Sequence, residues 1–199
     1  MQDYMLYFLF LGITAGIFEE TARFICFKFF LKNKYQWYNG IAFGAGHGGI
    51  EAIIFILPVC INNLIYSLSI DSGKFEAMLT KSGISSNVIV QMKASLVNTK
   101  SYLFLITGLE RVFAIIIHIA MTLMVLYAVK YRKNIYLLYA ILFHALLDSP
   151  LGIVMHFRVD TIFIELYVMI MALISITIIL KFKNKFKAEE KLRPSVELR

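Results

Sequence analysis

Glu19, Glu20 and Arg23 interrupt the stretch IFEETARFICFKFF (residues 17–30), which is otherwise apolar and aromatic. An ionised side chain at the centre of a bilayer costs on the order of 2.5–3.5 kcal/mol even on the gentlest scale, so such residues are paired, functional or both. Three further apolar stretches carry the same kinds of group: GAGHGGIEAI with His47 and Glu51, GLERVFAIIIHIA with Glu110, Arg111 and His118, and FHALLDSP with His144 and Asp148. His47 and Glu51 are four residues apart, as are His144 and Asp148, which puts each pair on one helix face.

These types suit hydrolysis. Adjacent carboxylates divide work, because like charges push one proton affinity up while a neighbouring guanidinium holds the other group ionised. A Glu beside a His can position and deprotonate water for attack on a carbonyl, and further His side chains can donate to the oxyanion. Three histidines, His47, His118 and His144, offer an alternative in which they bind Zn2+ and leave a fourth position for water. Acids and histidines at the midplane would also serve a small proton or metal-ion transporter, although nothing in the sequence resembles the inverted repeats of transporters.

The elements that must position these groups are membrane spans. The chain has 199 residues, 59% of them hydrophobic, and a mean hydropathy of +0.73, against about 45–50% apolar residues in soluble domains. Roughly residues 4–31, 38–68, 101–129, 134–156 and 159–181 are each long and apolar enough to cross a bilayer. The expected fold is an all-α polytopic transmembrane bundle over residues 1–181, with a basic tail over 182–199. Pro58 and Pro150 each free a carbonyl one turn earlier and allow a kink. Gly40, Gly44 and Gly48 recur every four residues, a pattern that lets another helix approach closely.

Between the second and third spans, Ile84, Val88, Met92 and Leu96 form one apolar stripe and Phe75, Met78 and Leu79 a shorter one. They predict two short amphipathic surface helices within residues 70–100. The net charge of +7 does not point to nucleic acid, because the basic residues cluster at the ends of apolar segments. With the N-terminus outside, thirteen of the basic residues fall inside, and five, including Arg158, fall outside. The inside group includes Lys28, Lys32, Lys130, Lys133 and the tail with Arg193 and Arg199. This orientation fits an integral protein of a bacterial plasma membrane. Cys26 and Cys60 fall near opposite faces and read as packing residues.

Depth ties the polar groups together. At 1.5 Å per residue, Glu20 lies roughly 18 Å from the basic end of its span, and His118, His144 and His47 lie at similar heights. Glu51 and Asp148 lie one turn further out, and His156 sits at the end of its span, outside the layer.

In these residues, EETAR, GHGGIEAI, the ER…H of the third span and HALLD, the chain resembles the YhfC family of intramembrane peptidases over about Gly12 to Asp148. That family is grouped with the CPBP/Abi proteases, the PrsW proteases, the CAAX prenyl protease and the Aph subunit of gamma-secretase. The resemblance implies a helical-bundle peptidase with its site in a cavity within the membrane. Residue by residue, it implies site roles for Glu19, Glu20 and Arg23, for His47, for His118, and for His144 with Asp148; Glu51 joins them by its spacing to His47. The basic residue follows at EExxR rather than the EExxxR common in the CPBP group, so it faces a slightly different direction. The sequence also starts close to its first motif, whereas family members commonly have further spans before it.

The expected function is an intramembrane endopeptidase that hydrolyses a peptide bond in a membrane-embedded or lipid-anchored substrate. Glu and His activate water without a metal, and zinc on the three histidines is the alternative. A non-enzymatic scaffold or chaperone subunit that holds a partner membrane protein is the second hypothesis, since the Aph likeness shows that a scaffold can keep the same histidines.

Overall fold

A computed structural model describes residues 4–157 and 159–192. Arg158, Arg193 and Arg199 of the charge count therefore lie outside the described residues. The described chain is helical throughout its elements: α1 (Tyr4–Ile25), α2 (Trp37–Glu51), α3 (Leu57–Asp71), α4 (Phe75–Lys81), α5 (Ser86–Asn98), α6 (Ser101–Tyr131), α7 (Ile135–His156) and α8 (Thr161–Leu192). Five helical stretches are long and apolar enough to span a membrane: Tyr4–Phe30, Trp37–Asp71, Ser101–Tyr131, Ile135–Val154 and Thr161–Lys191. The first two are composite. A π-helical turn, Cys26–Phe30, ends the first, and another, Ala52–Ile56, joins α2 to α3 just before Pro58.

The chain divides into two compact units, one of residues 1–48 and 110–199 and the other of residues 49–109. In the first unit α6 is the central helix. Its stretch from Ile117 to Ala128 is buried almost all round, apart from the half-buried Ile119, as expected for a helix that is apolar on every face. Phe27, Ala140, Val168, Met171 and Ala172 pack on it from the neighbouring helices. α1 packs most extensively along α7.

The close approaches are made by glycine. A Cβ on Gly44 would stand 2.6 Å from the Cα of Ile119, so α2 meets α6 backbone to backbone there. A Cβ on Gly16 would stand 2.7 Å from the carbonyl oxygen of Ile141 and 3.3 Å from His144 Cβ. The small-residue spacing read in α2 thus has a counterpart in Gly12 and Gly16 of α1, which the sequence reading passed over.

Residues 182–192, the first part of the expected basic tail, continue α8, and Phe182 and Phe186, four residues apart, are buried in the core. The lysines between them lie over aromatic rings, Lys183 over Trp37 and Lys185 over Tyr127 and Tyr136. Lys133 Nζ lies 2.6 Å from Glu189 Oε1, and Lys185 Nζ donates to Tyr136 Oη at 2.6 Å.

The second unit has a small core of its own, Phe75, Leu79 and Ile89, with Tyr66, Ile70, Met78, Ile84 and Met92 packed against it. The two amphipathic helices are present as α4 and α5. The buried stripe of α5 runs through Ile89, at 3% exposure, and not through Val88, at 44%.

Candidate active site

Three residues of α1 start the site. Helical spacing turns Arg23 back toward the positions three and four residues earlier, and it donates Nη1 to Glu20 Oε1 at 2.7 Å and Nη2 to Glu19 Oε2 at 3.2 Å. The two carboxylates differ in surroundings. Glu20 is fully buried and Glu19 is 31% exposed.

Each remaining group arrives on a different helix. His47 of α2 places Nε2 3.3 Å from Glu19 Oε2. His118 of α6 places Nδ1 2.7 Å from Arg23 Nη2. His144 of α7 places Nδ1 2.8 Å from Glu20 Oε1 and Nε2 3.3 Å from Asp148 Oδ2. The rings of His47 and His118 lie 5.1 Å apart, and those of His118 and His144 6.4 Å apart. The common depth expected from the sequence thus corresponds to one connected network over four helices.

Donor and acceptor chemistry fixes the roles inside it. A guanidinium only donates, so Nδ1 of His118 presents its lone pair to Arg23. A carboxylate only accepts, so both nitrogens of His144 act as donors, one to Glu20 and one to Asp148. Glu20 is held by a guanidinium and an imidazole in a buried setting, where removing one partner leaves an uncompensated charge. Glu19 is bonded to Arg23 as well, but it opens toward His47, which is itself 27% exposed. Glu20 therefore anchors the network and Glu19 is the carboxylate that an incoming water can reach.

The same geometry tests a metal site. Ligand atoms of Glu19, His47 and His118 all lie within 4.8 Å of one another. Two ligands of a tetrahedral zinc, each about 2.0–2.1 Å from the ion, stand about 3.3 Å apart, and the Glu19–His47 pair is at 3.3 Å. Two imidazoles and one carboxylate with an open fourth position are a donor set of catalytic zinc sites. The residues fit. The set differs from the three histidines expected from depth: Glu19 takes the place of His144, whose two nitrogens are turned to Glu20 and Asp148.

Glu51 belongs to the second unit, so the site is built here without it. Glu110 and Arg111 pair with each other, as neighbours in sequence. His156 stacks on Tyr4, ring centroids 4.1 Å apart, at the far end of α7.

Helices long and apolar enough to cross a membrane, with a buried Glu, His and Arg network among those of the first unit, define an integral membrane protein with an intramembrane polar site. The model of the family described as YhfC intramembrane metalloprotease matches residues 1–172, and the chain belongs to that family. It is 38% identical over 192 residues to the Uncharacterized membrane protein YhfC of Bacillus subtilis (strain 168), an alignment that covers 94% of this chain and 72% of that protein. No solved structure matches.

Proposed function

We propose that the protein is an intramembrane endopeptidase of metallo type, which cleaves a membrane-embedded or lipid-anchored peptide. The observation that supports this reading most directly is the convergence of Glu19, His47 and His118 from three helices, in a family described as metalloprotease. These three side chains would hold a divalent ion. Such an ion lowers the pKa of a bound water and polarises the scissile carbonyl.

The rest of the chemistry falls to Asp148 and His144. Asp148 is 38% exposed and bonded to His144, so it is placed to take a proton from the attacking water. His144, a donor on both sides, passes a proton to the amide nitrogen as the C–N bond breaks. The proton on Asp148 then replaces the one His144 gave up, through the contact between them. Glu20 and Arg23 keep His144 and His118 in place.

A second reading has an observation of its own. Arg23 takes the lone pair of His118 Nδ1, and with that bond intact Glu19 and His47 would activate water directly, as the sequence reading favours. One experiment tests both. Purified protein in liposomes, with a panel of transmembrane peptides, should cleave at least one of them, and Glu19→Gln and His47→Ala should abolish cleavage. A chelator that strips metal, with metal content measured in parallel, should abolish it too and zinc should restore it. Chelator-resistant cleavage supports the metal-free route. Cleavage that is the same in wild type and Glu19→Gln sinks both.

A further inference from the structure

α7 carries Pro150 in its interior. Proline has no N–H, so the carbonyl of Leu146 lacks the donor that a helix supplies from four residues later. Within a membrane-spanning helix a carbonyl freed in this way is met by a side chain of a neighbouring helix or by an ordered water. Here Tyr167 of α8 meets it: its hydroxyl donates to the carbonyl oxygen of Leu146.

The position of that carbonyl gives the bond its importance. Leu146 lies between His144 and Asp148, so the captured peptide group belongs to the turn that presents both side chains. α1 presses on the same helix one residue beyond Asp148. A Cβ on Gly12 would stand 2.3 Å from Ser149 Oγ and 2.9 Å from its backbone nitrogen. The turn is thus packed by α1 and tied by α8, at a point where Pro150 has removed its own internal tie.

We propose that Tyr167 is a positioning residue of the site: its hydroxyl stands in for the N–H that Pro150 lacks and so fixes the turn of α7 that sets His144 between Glu20 and Asp148. The proposal rests on the reading of His144 and Asp148 as the proton carriers. Tyr167 touches neither substrate nor ion, and it acts through the 3.3 Å contact of His144 with Asp148. Pro150 and Tyr167 are then one device. The proline makes the carbonyl available and the tyrosine uses it.

That pairing makes the proposal testable without a substrate. Pro150→Ala restores the N–H, so the carbonyl no longer needs Tyr167. Four proteins are compared in detergent micelles: wild type, Tyr167→Phe, Pro150→Ala and the double variant. The readouts are Tm and the NMR signals of isotope-labelled histidine rings, with His144 assigned by its loss in His144→Gln. Tyr167→Phe should lower Tm by about 3–8 °C and shift the His144 signals while leaving His156 in place. In the Pro150→Ala background the same substitution should change neither. An equal effect in both backgrounds means that Tyr167 acts by packing, and a fall in Tm without a His144 shift means a purely structural tie; either overturns the proposal, as does no effect at all. If wild type cleaves nothing, the hydrolytic reading fails while the coupling is still decided by these signals. If it cleaves, Tyr167→Phe should lower kcat and leave KM unchanged.

Discussion

Two arginines lie within apolar spans of the first unit, Arg23 in α1 and Arg111 in α6, each beside a glutamate. They are put to different uses. Arg23 is 1% exposed and forks to three partners on two helices: Glu19, Glu20 and His118. Arg111 is 28% exposed and pairs with the adjacent Glu110. Composition does not separate them. Connectivity does: Arg23 is hydrogen-bonded to a side chain of another helix and fixes the geometry of what it touches, whereas Arg111 is bonded to its sequence neighbour, with Glu165 of α8 near enough to feel both charges. A charged pair inside a span therefore marks chemistry when its partners come from elsewhere in the chain.

The sharpest test of this contrast is activity. Glu19→Gln should lower peptide cleavage by about 1,000-fold or more, since it removes a group placed both to bind the ion and to meet water. Glu110→Gln should leave cleavage within about twofold. Equal losses at the two positions would break the comparison, and time courses on one peptide in liposomes are enough to see it.

Stability should separate the arginines next. Arg23→Met leaves Glu20 buried with only His144 as partner and should cost about 3–5 kcal/mol. Arg111→Met removes a partly exposed pair and should cost about 0–1 kcal/mol. Thermal melts in a single detergent measure both. Arg23→Met paired with Glu20→Met should recover much of the loss, because a matched apolar pair replaces a matched ionic one.

A smaller effect sharpens the role of Arg23 at His118. Arg23→Lys keeps a positive charge beside Glu20 but loses the fork that reaches Glu19 and His118 together. His118 Nδ1 then no longer accepts from Arg23, so zinc affinity should rise about tenfold, read by calorimetry or by the visible spectrum of bound cobalt. Arg111→Lys should not change it. Weaker zinc binding in Arg23→Lys would show that Arg23 supports the ion site and does not compete with it.

What the sequence made legible follows from what hydropathy and helical periodicity measure. Five long apolar runs identified the spans, and counting residues from the basic ends set Glu19, Glu20, His47, His118 and His144 at one height. Height is not azimuth. The direction in which each side chain points depends on how helices rotate against one another, and that is set by close contacts such as Gly16 on Ile141 and Gly44 on Ile119. For that reason the three histidines looked like one ligand set, while the structure turns His144 to Glu20 and Asp148 and brings Glu19 to His47 and His118. The same limit hid the end of α8. The basic residues over 182–199 read as a tail beyond the last span, and Phe182 and Phe186 within it share a face and pack against α6. Tyr167 carried a faint signal: Pro150 advertises an orphaned carbonyl, yet only packing shows which neighbouring hydroxyl meets it.

The smallest expected effect belongs to a third ionic contact, whose lysine lies outside the spans. Lys133, between α6 and α7, donates to Glu189 of α8 at 2.6 Å and to Tyr127 Oη at 3.4 Å. The hydrogen bond to Glu189, and after it the one to Tyr127, raises the Lys133 pKa above its ordinary 10.5. A lysine whose pKa is raised on folding stabilises the folded state in full below its unfolded pKa, and loses that contribution as pH rises through the folded value. The difference in Tm between wild type and Lys133→Gln should therefore be level from about pH 6 to pH 9 and shrink only above the ordinary lysine range. Because Lys133 is exposed, ions from solution compete with the contact, and the difference should also fall in about 1 M salt. Arg23, sealed between helices, should not respond to salt in this way: the Tm penalty of Arg23→Met should be the same in low and high salt. A penalty at Arg23 that salt erases as it does at Lys133 would mean that water reaches the network freely, and the contrast between a bridging and a solvated ion pair would no longer hold.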